Sequence, residues 1–168
     1  MLVQTIANLA HPKQAVVWQL LATIPDPEIP VITIAELGML RGVTFEDEQW
    51  VVTFTPTYSG CPATEMLMKD ITDCMTEAGY TPVKVNISLD PAWTTDWMTD
   101  ESKRKLTAYG IAPPEGKACF SQSIPTELSC PHCNSKETQL VSEFGSTACK
   151  AHYKCRTCYE PFDYFKCI

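Results

Sequence analysis

Glycine and histidine are scarce in this chain: seven and three in 168 residues. No glycine-rich loop is present to cradle a phosphate with backbone N–H groups, which removes the usual nucleotide-binding signature. Of the three histidines, His11 precedes the first expected helix, and none is placed to complete a nucleophile–base pair in the first hundred residues. Catalysis by the chain alone therefore lacks its customary residues. An excess of positive charge is also missing. Thirteen Lys and Arg against twenty Asp and Glu give a net charge of −7, which excludes nucleic-acid binding through phosphate neutralisation. No apolar run approaches the roughly 18 residues of a membrane span. No charged residue precedes Lys13, so residues 2–10 lack the basic start of a secretory signal, and a cytoplasmic location is expected. With 45% hydrophobic and 20% charged residues, the composition is that of a globular protein.

What the chain does carry is nine cysteines, unevenly spread. Only Cys61 and Cys74 lie before Gly116, where the balance of charge is −8. The other seven follow it, where the balance is +1. Between the two portions, Ala112-Pro113-Pro114-Glu115-Gly116 can continue neither helix nor strand. The expected organisation is an α/β domain over residues 1–111, a linker over 112–126 and a small cysteine-rich module over 127–168. The first is large enough to bury a core. The last is below the size at which apolar burial suffices and requires a metal or disulfides.

Helix and strand signals alternate in the first portion. Residues 11–23 have apolar side chains at Val16, Val17, Leu20, Leu21 and Ile24, a helical spacing closed by Pro25. Residues 39–45 and 50–55 flank Glu46-Asp47-Glu48-Gln49 and read as a hairpin. Residues 62–78 read as an amphipathic helix with Ala63, Leu67, Ile71, Cys74 and Ala78 on one face and Gly79 just beyond its end. Residues 83–89 alternate as a half-buried strand, and a short helix over 100–109 ends at Gly110. The expectation is a small α/β sandwich, with helices covering a mostly three-stranded sheet.

Cys130-Pro131-His132-Cys133 and Cys155-Arg156-Thr157-Cys158 are two Cys-x-x-Cys units. Each can form a tight turn that converges two sulfurs, so the pair can close a tetrahedral four-thiolate site on one ion. Residues 139–144, 152–154 and 162–165 supply strands for a β zinc ribbon. The ion is zinc, held structurally, or a single iron able to transfer an electron; spacing does not separate them. Cys149, His152 and Cys167 are additional candidate ligands, or fillers of a small core. His132 reads as a solvated turn residue.

In Ser59-Gly60-Cys61-Pro62, Pro62 suits the first helical position, which places Cys61 at the N-cap, where free N–H groups favour a thiolate. Cys61 is then a metal ligand or nucleophile, or an inert cap. Asp26-Pro27-Glu28-Ile29-Pro30 reads as extended, with both carboxylates on one side as ligands or an acid–base pair, or else as turn acceptors. Trp93 and Trp97 lie on a loop and are candidate docking anchors, or edge residues of the core.

Taken in order, Asp26-Pro27-Glu28-Ile29-Pro30, Glu36-Leu37-Gly38-Met39-Leu40, Ser59-Gly60-Cys61-Pro62 and Asp90-Pro91 resemble the MIP-type domain of iron–sulfur cluster assembly and targeting factors, including SufT-like proteins. With Trp93-Thr94-Thr95-Asp96-Trp97-Met98 and the ribbon ending Glu160-Pro161-Phe162, nearly the whole chain resembles the D-subunit family of the bacterial ring 1,2-phenylacetyl-CoA epoxidase. The resemblance implies a non-catalytic maturation factor in aerobic phenylacetate degradation. Its partners would be other epoxidase subunits, either the di-iron oxygenase or the iron–sulfur reductase. Cys61 matches the position tied to cluster assembly, and Asp26 and Glu28 match the acidic motif, implying transient ligands for iron or an iron–sulfur cluster. The alternative is an electron-transfer component with redox iron at Cys130, Cys133, Cys155 and Cys158.

Overall fold

The computed structural model describes residues 12–114, 124–125 and 128–167. The expected helix start at His11 and most of the expected linker lie outside the described residues. The chain divides into two compact units, the first ending at Trp93 and the second beginning at Thr94.

The first unit opens with α1 (Pro12–Leu21), which buries Gln14, Val17, Trp18 and Leu21. Val16, expected on the buried stripe, is 53% exposed. Strands β1 (Leu40–Glu46) and β2 (Gln49–Phe54) form the antiparallel hairpin, and β3 (Val83–Ile87) joins β2 in parallel to give the order β1-β2-β3. A two-residue turn closes the hairpin. Glu46 pairs with Gln49, and Asp47 and Glu48 both take positive φ, 48° and 60°, as a type I′ turn requires. Glycine usually occupies the second position, so Glu48 holds it under strain. Pairing puts Val43, Trp50 and Val52 on one face of the sheet, all buried. Helix α2 (Thr64–Glu77) packs with β3 and α1.

The buried stripe of α2 is Leu67, Ile71 and Met75; Cys74 is half-buried and Ala78 exposed. The stripe advances by four residues throughout, where the expected one stepped by three from Ile71 to Cys74. Gly79 sits at the C′ position with φ +78°. Its N–H donates to the Thr76 carbonyl and that of Tyr80 to the Met75 carbonyl, the two bonds of a Schellman ending.

The second unit begins with a 3₁₀ turn (Thr95–Trp97) and α3 (Asp100–Ala108), capped by the Thr99 hydroxyl accepting from the Ser102 N–H. Its sheet has the order β4-β7-β6-β5, from β4 (Ile111–Ala112), β5 (Thr138–Ser142), β6 (Lys150–Cys155) and β7 (Pro161–Phe165). Ile111 and Ala112 pair in parallel with Asp163 and Tyr164. Ala112, expected to open a linker, is thus an edge strand of the ribbon sheet, and α3 groups with the ribbon. A core of Ala112, Leu128, Cys130, Ala151, Tyr153, Cys155, Phe162 and Tyr164 sits on one face. Tyr153 stacks on Phe162 at 5.7 Å, and its hydroxyl donates to the Pro125 carbonyl. No helix among the described residues is long and apolar enough to cross a membrane.

Candidate metal centre and the Cys61 cluster

The two knuckles are built alike. Cys130 donates its N–H to the Ser135 carbonyl and Cys155 to the Glu160 carbonyl, in each case five residues on. Directly after each second cysteine the chain turns through the left-handed region, at Asn134 (φ 59°) and Tyr159 (φ 64°). These reversals bring all four sulfurs within 4.8 Å of one another. The cross-knuckle separations are 3.8 Å for Cys130–Cys158 and 3.6 Å for Cys133–Cys155. A tetrahedral ion with metal–sulfur bonds of about 2.3 Å requires sulfurs about 3.8 Å apart, so the donor set fits with little movement. Cys130 and Cys155 are fully buried in the ribbon core, while Cys133 is exposed. The Cys158 N–H, with that of Thr157, points at Cys155 Sγ and draws its thiol down to about 6. Burial pushes the Cys130 thiol up. Metal ligation removes these protons, and the N–H groups orient the ligand sulfur.

Among the described residues this is the one group of three or more ligand side chains close enough to hold an ion. The additional candidates are elsewhere. Cys149 is buried, with its sulfur 3.0 Å from the Thr147 hydroxyl. His152 Nδ1 lies 3.1 Å from Asp163, a carboxylate that Lys150 also approaches. Cys167 Sγ is 3.5 Å from the Thr95 hydroxyl. The His132 ring packs against Gly110, where a Cβ would meet it at 3.1 Å.

In the first unit, the helix begins later than expected. Cys61 accepts at its carbonyl from the Thr64 N–H in a turn, and Ala63 is the N-cap of α2. Cys61 is half-buried, and its thiol is pushed up rather than down. Burial is the main cause, and the carboxylates of Glu28 and Asp26 add to it. The Ala63 N–H and the Tyr58 hydroxyl, bonded to the sulfur, oppose it in part. The fold thus brings Cys61, Asp26 and Glu28 within electrostatic reach of one another across more than thirty residues of sequence. Asp26 does not lie in an extended segment. Its Oδ1 accepts from the Glu28 and Ile29 N–H groups at 2.9 Å, so it is a buried turn acceptor, with Glu28 half-buried beside it. Above Gly60 the space is open: an added Cβ meets nothing within 4 Å.

Trp93 is 4% exposed and its Nε1–H donates to the Leu37 carbonyl at 2.9 Å. It is a core residue and offers no docking surface. Trp97 is half-buried on the 3₁₀ turn. Sequence reading missed Tyr58, whose hydroxyl reaches the Cys61 sulfur; its position three residues before the cysteine was the available signal.

Over residues 116–166 the chain matches the PaaD zinc beta ribbon domain, and over 14–92 the iron–sulfur cluster assembly protein family. A relative from Escherichia coli (strain K12) is 58% identical over 98% of this chain and 99% of its own. It bears, provisionally, the name of the 1,2-phenylacetyl-CoA epoxidase D-subunit. The chain belongs to that D-subunit family. A second relative, an Fe-S protein maturation auxiliary factor from Porphyromonas gingivalis, is 32% identical over 52% of this chain and 85% of its own. The crystal structure of a DUF59 domain from Bacillus anthracis superposes with a TM-score of 0.53, at 23% identity, over 63% of this chain and 97% of that one. It shares the fold of the first unit's α/β architecture. Family membership accounts for both parts of the molecule: an assembly-type α/β domain, and a ribbon whose four cysteines bind metal.

Proposed function

We propose that the protein is a non-catalytic maturation factor for the multicomponent phenylacetyl-CoA epoxidase, acting in the cytoplasm during aerobic phenylacetate degradation. The observation that supports this reading best is the half-buried Cys61 beside the open space at Gly60, with the carboxylates of Glu28 and Asp26 in electrostatic reach of its sulfur but not gathered closely enough to share one ion with it. Cys61 serves as a transient ligand for iron or an iron–sulfur cluster on its way to a recipient protein. A thiol held protonated by burial and two carboxylates is a weak resting nucleophile, which suits carriage better than covalent chemistry. An arriving cation displaces the thiol proton and offsets the repulsion between sulfur and carboxylates. Release follows readily, because the site supplies few ligands and one side stays open.

The ribbon ion is zinc in this reading, and its work is structural, completing a core too small to hold itself. The recipient is the iron–sulfur reductase or the di-iron oxygenase of the epoxidase. The first unit's acidity guides encounter with a basic surface: residues 1–93 carry eleven acidic and four basic side chains, which is the whole net charge of the protein.

Four sulfurs at these separations also accept a single iron, and this observation favours one rival, electron transfer through the ribbon. Metal analysis with absorption spectra on anaerobically prepared wild type and Cys61→Ser separates the two. One zinc per chain in both proteins, with iron or cluster absorbance gained by wild type alone, is the expected result. Iron at one per chain in both, lost only on changing Cys130 or Cys155, overturns it in favour of electron transfer.

A further inference from the structure

Away from Cys61, a cleft of about 490 Å³ opens between the end of α1 and the second half of α2. Leu20, Ile24, Pro25 and Ala78 give it an apolar lining, and Asp70, Asp73 and Glu77 line it from α2. Their spacing of three and four residues sets like charges along one edge of the helix, an arrangement that weakens a helix by itself. Lys69, paired with Asp73, is the one lysine or arginine within the helix. Cys74 lies among them, its thiol pushed up by burial and then by Glu77.

We propose that this cleft is a docking groove for a basic segment of a partner polypeptide that carries one apolar anchor residue. The volume accommodates one large aliphatic or aromatic side chain, and the apolar lining rewards its burial. The three carboxylates then meet Lys or Arg on either side of the anchor, and the cation relieves the repulsion that the helix otherwise bears. Charge complementarity selects the partner's sign: the unit holding the cleft carries all of the molecule's net negative charge. A divalent cation is the competing occupant for carboxylates. Among the described residues, however, no three ligand atoms in this cleft lie close enough to share an ion.

The test uses the full chain and a fluorescein-labelled decapeptide with six lysines around a central leucine, followed by fluorescence anisotropy at low salt. The Asp70→Asn, Glu77→Gln double variant, which leaves the Lys69–Asp73 pair intact, is expected to weaken binding about tenfold. It is also expected to melt no lower than wild type, since it removes like-charge repulsion. A hairpin control of equal charge change, Glu46→Gln with Glu48→Gln, is expected to alter binding less than about twofold, because it lies on an unrelated surface. Replacing the peptide's leucine by glycine is expected to weaken binding about fivefold or more, from loss of the buried anchor. Bound peptide is expected to slow alkylation of Cys74. Equal weakening by the hairpin control overturns the proposal, as does indifference to the leucine. Displacement of the peptide by millimolar magnesium but not by sodium at matched ionic strength reassigns the carboxylates to a cation.

Discussion

Replacing Trp93 by phenylalanine discriminates directly between a core role and a docking role. In the structure the indole is 4% exposed and its N–H bonds the carbonyl of Leu37, a residue itself 1% exposed. Phenylalanine fits the site but has no donor, so a buried carbonyl loses its partner. Orphaning such a group costs about 1–3 kcal/mol. Loss of the smaller ring's apolar area adds about 1 kcal/mol. The sum, roughly 2–4 kcal/mol, is large for a unit of this size, where each kcal/mol lowers the midpoint by about 4–8 °C. Differential scanning calorimetry of the full chain is therefore expected to show the first unit's transition at least about 8 °C lower, with the ribbon transition unmoved. A shift smaller than about 2 °C, together with weaker association with an epoxidase component, refutes the reasoning and restores Trp93 to the surface.

Three further outcomes follow from particular contacts. Glu28→Gln removes one of the charges that raise the Cys61 thiol, so more thiolate is present at pH 8 and iodoacetamide should label Cys61 faster, with Cys74 as the unchanged internal standard; peptide mapping that finds Cys61 slower or unaltered counts against the cluster. Cys155→Ser, or removal of the ion by a chelator, should unfold the ribbon strands while sparing the first unit, because Cys155 is both ligand and core; hydrogen exchange that leaves β5–β7 protected would show the apolar core to be sufficient alone. Replacing Asp47-Glu48 by Asn-Gly should stabilise the hairpin by about 0.5–1 kcal/mol, since both positions have positive φ and Glu48 is strained there; urea denaturation measures it.

Much of this architecture was legible because it is written locally. Tight-turn spacing in the two Cys-x-x-Cys units, the hairpin signal around Glu46-Asp47-Glu48-Gln49 and the glycine after α2 each report on neighbours within a few residues. Elsewhere local signals misled for identifiable reasons. The burial stripe of α2 could step by three or four after Ile71, and only packing against the first unit's core chose Met75 over Cys74. Proline on both sides of Glu28 suggested an extended segment, but the Asp26 carboxylate found two backbone N–H groups and closed a turn instead. Aromatic residues on a loop suggested an exposed surface, and Trp93 turned inward to satisfy a carbonyl fifty-six residues away.

The sequence by itself determined the metal centre. Each Cys-x-x-Cys unit sets its own two sulfurs by a short turn and a backbone reversal, and the twenty-one residues between the units are long enough for the β5–β6 pairing, with Thr138 opposite Cys155, that brings the two together. Tertiary structure decided the state of Cys61. Position near a helix start argued for a thiolate, yet the sulfur's protonation depends on its burial and on charges from residues 26 and 28, which lie over thirty positions away. Electrostatic energy acts through space rather than along the chain, so that balance existed only once the loop and the helix were folded against one another.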